Sequence, residues 1–155
     1  MSSNCRKALI GLAALATLAG CSRPSADSGA QDAAWFLEQN ARQSGIETLP
    51  DGVQYRVDRT GSPDAVQPDS NDLVMVNYEG ALTDGTVFDS SYEAGRPASF
   101  NVDAVIPGWQ SALTHMRVGD QWTVWVPPAV GYGESGSGPI PPNSVLVFRI
   151  ELLNV

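Results

Sequence analysis

The sequence predicts an α+β domain: antiparallel β-strands whose apolar face is covered by one short amphipathic helix, with a second short helix ahead of it. Three observations carry that prediction. Several segments alternate apolar and polar residues at period two, as half-buried strands do. Turn-forming residues separate those segments at short intervals. One segment, 108–116, instead carries Trp109, Ala112, Leu113 and Met116 at helical spacing. Antiparallel strands with one helix to cover their apolar face make an α+β layer arrangement.

The elements follow in chain order. Arg6 and Lys7 precede an apolar run from Ala8 to Ala19, too short for the roughly 20 residues a membrane span takes, so residues 1–20 read as an export signal. The sequence Leu18-Ala19-Gly20-Cys21 resembles the bacterial lipobox, in which the cysteine is lipidated and becomes the new N-terminus; the alternative is an ordinary cleaved signal followed by an incidental cysteine. Cys5 lies within the signal, so no cysteine pair is left for an intrachain disulfide. Ser22 after the cysteine, where an Asp would favour inner-membrane retention, points to the outer membrane and its periplasmic side. Residues 21–32 are small, polar and turn-prone and read as a flexible tether after Cys21. Residues 33–45 read as a short helix stopped by Gly45, which needs Trp35, Phe36 or Leu37 to pack on something because a helix this short is marginal alone. The domain proper is expected over 46–155.

Within it, Val53, Tyr55 and Val57 alternate with polar neighbours, as do Val74, Val76 and Tyr78 in the next strand. Asp84-Gly85 signals a tight turn. Trp122, Val124 and Val126 share one face of a further strand, and Leu146, Phe148, Ile150 and Leu152 share one face of the last, opposite Arg149 and Glu151.

Composition removes several function classes. The formal charge is −8, and loss of Arg6 and Lys7 with the signal takes it to −10, leaving seven scattered arginines. Nucleic-acid binding needs a basic face, and no nucleic-acid partner is expected. Gly131, Gly133 and Gly136 match a GxGxxG pattern, but Pro139, Pro141 and Pro142 follow where a phosphate-binding helix would have to begin. His115 is the sole histidine and falls off the apolar face of its helix, so neither a histidine-based triad nor a multi-histidine metal site has material.

What remains is aromatic. The segments VNYEGALTDGTVFDSSY (76–92), VIPGW (105–109), VGDQW (118–122), GYG (131–133) and PIPPNSVLVFRIELL (139–153) occur in order, preceded by TLPDGVQYRV (48–57). Together they resemble the FK506-binding-protein family of peptidyl-prolyl cis-trans isomerases, in its bacterial macrophage-infectivity-potentiator-like branch, over about residues 46–155. The resemblance implies a curled antiparallel β-sheet (half-barrel) wrapped around the one short amphipathic helix, and an apolar pocket with Tyr78, Phe88, Asp89, Trp109, Tyr132 and Phe148 as catalytic residues. It implies Phe100, Val105, Ile106 and Ile140 as substrate-binding residues. Trp109 would form the floor under the proline ring, and the Ile106 N–H and Tyr132 hydroxyl would bind substrate carbonyls. Asp89 would be the one charge in the pocket, holding Tyr78 rather than acting as a base. Such chemistry requires no cofactor, metal or nucleophile.

The resemblance further implies proline-containing polypeptide clients, with macrolides as candidate ligands, and a membrane association through lipid at Cys21. The alternative is a non-catalytic peptide-binding holdase or interaction module using the same pocket. Two departures from the family pattern bear on specificity. Ala98 stands where some members carry an aromatic residue, and the loop 134–138 is small and glycine-rich. The long N-terminal arm that dimerises the potentiator-type relatives is reduced here to residues 33–44, and a monomer is expected.

Overall fold

The computed structural model describes residues 26–155; the expected signal at 1–20 and Cys21 lie outside the described residues. Helix α1 spans Ala26–Ala41, so it starts seven residues earlier than expected and takes in part of the stretch read as a tether. Ala30, Ala33 and Ala34 favour helix, and Gly29 is tolerated because the helix there lies against the loop before the last strand: a Cβ at Gly29 would meet the Asn143 Cβ at 3.4 Å.

The strands are β1 (Glu47–Thr48), β2 (Gln54–Arg59), β3 (Leu73–Leu82), β4 (Val87–Ser90), β5 (Ala98–Asn101), β6 (Gln121–Val126) and β7 (Leu146–Asn154). They form one antiparallel sheet in the order β1-β2-β6-β7-β3-β4, with β5 also paired to β3. The long β3 carries β5 along Leu73–Val76 and β4 along Glu79–Ala81, while β7 runs along its other edge. Register shifts in the β2–β6, β3–β4 and β3–β7 pairs add local bend and twist. The β3–β4 turn is the one signalled by Asp84-Gly85: Gly85 takes φ +88°, the Leu82 carbonyl accepts from the Gly85 N–H at 2.9 Å, and Asp84 Oδ1 accepts from the Thr86 N–H at 2.9 Å.

Helix α2 spans Pro107–Leu113, with proline in its first turn, where a missing N–H is harmless. It ends three residues before Met116, which a further turn nevertheless buries. Trp109, Ala112, Leu113 and Met116 join Val74, Val76, Trp122, Val124, Leu146, Phe148, Ile150 and Leu152 in one cluster, so the helix fills one face of the sheet as the alternation predicts. Val57 is the exception in that pattern. It is 42% exposed, and the residue buried next to Val53 is Gln54.

Gln54 faces the other side of the sheet, where α1 docks. Ala33, Trp125 and Val145 are buried there, with Phe36, Leu37, Ile46 and Val147 packed around them. Gln54 Nε2 donates to the Leu37 carbonyl at 2.9 Å, and its Oε1 accepts from Asn40 Nδ2 at 2.9 Å. Both amides are almost wholly buried, so each satisfies polar atoms the other would leave stranded. Phe36 and Leu37 therefore make the contact α1 needs, while Trp35 is 65% exposed.

Candidate active site

One end of the sheet opens into a cavity of about 380 Å³. Its lining comes from six separate parts of the chain. Strand β3 supplies Tyr78; β4 supplies Phe88 and Asp89; β5 supplies Phe100. A 3₁₀ turn at Val102–Ala104 leads through Ala104, Val105 and Ile106 into α2 and Trp109. Tyr132 comes from the loop after β6, and Phe148 from β7.

Trp109 is the hub. Its ring meets Tyr78 at 5.2 Å and 86°, Phe148 at 5.2 Å and 86°, and Phe100 at 5.7 Å and 88°. Phe88 stands edge-on to Phe148 at 5.7 Å and 89°. These are the edge-to-face arrangements that ring quadrupoles favour, each adding about 0.5–1.5 kcal/mol beyond burial. The buried indole N–H of Trp109 has no oxygen or nitrogen partner among the described residues.

The polar groups are few. The Tyr78 hydroxyl donates to Asp89 Oδ2 at 2.6 Å, as expected for an aspartate that holds this tyrosine. Burial, and then that hydrogen bond to a carboxylate, push the Tyr78 phenol well above its ordinary value, so it stays a neutral donor. Ser91, missed in the sequence, ties down the tyrosine's backbone: its Oγ accepts from the Tyr78 N–H at 2.9 Å and its own N–H donates to the Tyr78 carbonyl at 2.9 Å. Ile106 is extended (φ −57°, ψ 148°), as the following proline requires. Tyr132 is 39% exposed at the rim, and its loop is held by Gly133 N–H to the Pro128 carbonyl at 2.9 Å.

Nine of the ten expected pocket residues line this cavity, and one does not. Ile140 is only 7% exposed and sits in the core cluster, because a bridge between Ser137 and Ile140 folds that segment back and turns the side chain inward. Ala104 takes a place in the lining that the sequence reading left empty. Ala98 pairs with Val76 and packs against the core, outside the cavity lining. His115 is exposed with Nδ1 at 2.6 Å from the Ser111 carbonyl, and Gly131–Gly136 forms a loop without a following helix.

Gly80 is a further residue that the sequence reading passed over. It lies opposite Asp89 in β4 and Phe148 in β7. A Cβ there would fall 2.7 Å from Phe148 Cε1 and 2.8 Å from Phe88 Cε2 and Cζ, so the missing side chain lets these two rings meet. A glycine inside an otherwise alternating strand was the available signal.

Comparison with known proteins places this geometry. Residues 64–153 match the family described as FKBP-type peptidyl-prolyl cis-trans isomerase. The chain is 49% identical over 121 residues to the peptidyl-prolyl cis-trans isomerase Mip of Coxiella burnetii, covering 77% of this chain and 52% of that protein. It is 48% identical over 121 residues to the FKBP-type 22 kDa peptidyl-prolyl cis-trans isomerase of Escherichia coli, covering 77% and 58%. The chain thus spans about half the length of the curated relatives it matches. Among solved structures it is similar to a peptidyl-prolyl cis-trans isomerase from Pseudomonas syringae pv. tomato (TM-score 0.79, 34% identity, 85% of this chain and 96% of that one). It is also similar to FkpA from Escherichia coli (TM-score 0.77, 40% identity, 83% and 60%).

Proposed function

The chain belongs to the FKBP-type peptidyl-prolyl cis-trans isomerase family, and on that premise we propose that its aromatic cavity accelerates rotation about X–Pro peptide bonds in exported or envelope proteins. Resonance makes the amide planar and sets a barrier of about 18–20 kcal/mol to its rotation. The planar form is more polar than the twisted one, in which resonance is broken. An apolar box therefore favours the twisted state relative to water, which is differential transition-state binding. In this reading the proline ring rests on Trp109 between Tyr78, Phe88, Phe100 and Phe148. The Ile106 N–H and Tyr132 hydroxyl hold the substrate's carbonyls, and Val105 closes the side. Asp89 keeps Tyr78 in place and adds a fixed negative charge. Rotation transfers no proton, so no general base is called for.

The observation that carries the reading is the ring box itself, three rings standing edge-to-face on Trp109 with one charge, and that charge hydrogen-bonded to Tyr78. The test is cis–trans exchange of X–Pro peptides by residues 22–155, beside Asp89→Ala and Trp109→Ala. Acceleration by the parent that drops in both variants supports it, and a parent no faster than the uncatalysed rate sinks it. If the protein instead suppresses aggregation of unfolded clients equally well with and without those substitutions, it is a holdase. The same box suits a macrolide ring, and competition by a macrolide in that assay tests this.

We place the protein in the cell envelope as a monomer held by lipid on Cys21. The signal-like residues 1–20 support export, and a 47% identical relative from Legionella longbeachae is named outer membrane protein MIP. Cys21→Ala should move the protein from the membrane fraction to the soluble one, and unchanged membrane association would refute the anchor.

A further inference from the structure

We propose that Gln110 is a positioning residue that aims and strengthens the Ile106 N–H as the donor to the substrate carbonyl. The inference rests on the proposed isomerase reading, in which that N–H binds substrate. Gln110 sits in α2 immediately after the Trp109 floor, half-buried. Its Nε2 donates to the Val105 carbonyl at 2.9 Å and lies 3.4 Å from the Asp103 carbonyl. The Val105 carbonyl and the Ile106 N–H belong to one peptide unit, and no peptide bond among the described residues is cis. In a trans unit the two groups point in opposite directions within one plane. A side chain that fixes the carbonyl therefore fixes the direction of the N–H.

The next peptide is fixed as well. The Ile106 carbonyl accepts from the Trp109 N–H at 2.9 Å and from the Gln110 N–H at 3.2 Å. Gln110 thus grips both peptide units that flank Ile106, one through its side chain and one through its backbone. Val105 and Ile106 both line the cavity, and the Ile106 N–H donates to no acceptor among the described residues. A donated hydrogen bond to the carbonyl also polarises the whole amide, making the N–H on its far side a better donor. The bland role, a side chain that merely satisfies two turn carbonyls, predicts a change in stability and none in substrate affinity.

Those roles separate in Gln110→Ala and in the near-isosteric Gln110→Glu, whose ionised carboxylate keeps the shape but has no proton to donate. The full chain and both variants would be compared by protease-free exchange spectroscopy on an X–Pro peptide, with the Ile106 amide ¹⁵N and ¹H resonances followed in parallel. The expected result is a KM raised about threefold to tenfold, the span of one ordinary hydrogen bond, with kcat little changed and the Ile106 resonances shifted. Activity of Gln110→Glu relative to the parent should recover as its carboxyl gains a proton below about pH 4. The proposal is overturned if both variants keep the parent's KM and Ile106 resonances, or if Gln110→Glu fails to recover at low pH. An inactive parent would sink the isomerase reading and this inference together, whereas an active parent with indifferent variants sinks only this inference.

Discussion

Replacing Gly80 by alanine tests the cavity through a residue outside its lining. The new methyl would sit 2.7 Å from Phe148 Cε1 and 2.8 Å from two atoms of Phe88. Carbon atoms pack at about 3.5–4.0 Å, so each ring must retreat by roughly 0.7 Å or more. Phe148 is buried and already edge-on to Trp109 and Phe88, which leaves it little room. Overpacking of this kind costs about 1–3 kcal/mol, and for a domain near 100 residues each kcal/mol lowers Tm by roughly 4 °C. A fall of about 4–12 °C is expected. Displacement of the two rings on this scale should also cut kcat/KM on an X–Pro peptide by about tenfold to a hundredfold, because misplacement by about 1 Å can cost two orders of magnitude. Gly85→Ala is the control: its φ of +88° makes alanine strained, but nothing lies within 4 Å and the turn is outside the cavity lining. It should lose stability, about 1–2 kcal/mol, with kcat/KM intact. Thermal unfolding and exchange spectroscopy read both quantities. A Gly80→Ala protein with the parent's Tm and kcat/KM would refute the packing argument.

Three other outcomes follow from named contacts. Tyr78→Phe removes the donor that holds Asp89 at 2.6 Å, and should lower kcat/KM about threefold to tenfold, the worth of one hydrogen bond, without opening the ring box; an unchanged kcat/KM would dissociate the pair from turnover. Gln54→Ala strands the buried Asn40 amide and the Leu37 carbonyl. It should lower stability by about 1–3 kcal/mol in urea titration while peptide exchange per folded molecule stays at the parent's rate. In alkali, Tyr55 is raised from 10.0 to about 12, first by its hydrogen bond to Glu47, and Tyr78 is raised by burial. Both pKa values lie higher in the folded chain than in the unfolded one, so the unfolded chain releases these protons first. Stability is whole below pH 10.0 and falls as pH climbs from there towards 12. The urea midpoint should drop across that window, and less steeply in Tyr55→Phe; identical slopes would refute the Tyr55 contribution.

The inward face of each long strand is written in the local order of apolar and polar residues. Val74, Val76 and Tyr78, like Leu146, Phe148, Ile150 and Leu152, are sorted by a period of two that any half-buried strand imposes, and all of them are buried. The Asp84-Gly85 turn was legible for the same local reason, since a positive φ selects glycine. Ordered motifs from Tyr78 to Phe148 also pointed to nine of the cavity's ten lining residues. The remainder comes from contacts between distant parts of the chain. Whether Trp35 or Phe36 would pack, where α1 begins, and why Gln54 rather than Val57 is buried all depend on α1 finding the far side of β6. Ile140 left the cavity because a local bridge turned it inward, and Ala104 entered it because a 3₁₀ turn brought it there. Gly80 and Gln110 acquire their meaning from partners that chain neighbours do not reveal: two rings on other strands, and one carbonyl five residues back. Periodicity reports which side of an element avoids water, because that is a local balance of solvent and side chain. Which distant group arrives on that side, and at what distance, is settled only when the whole chain closes.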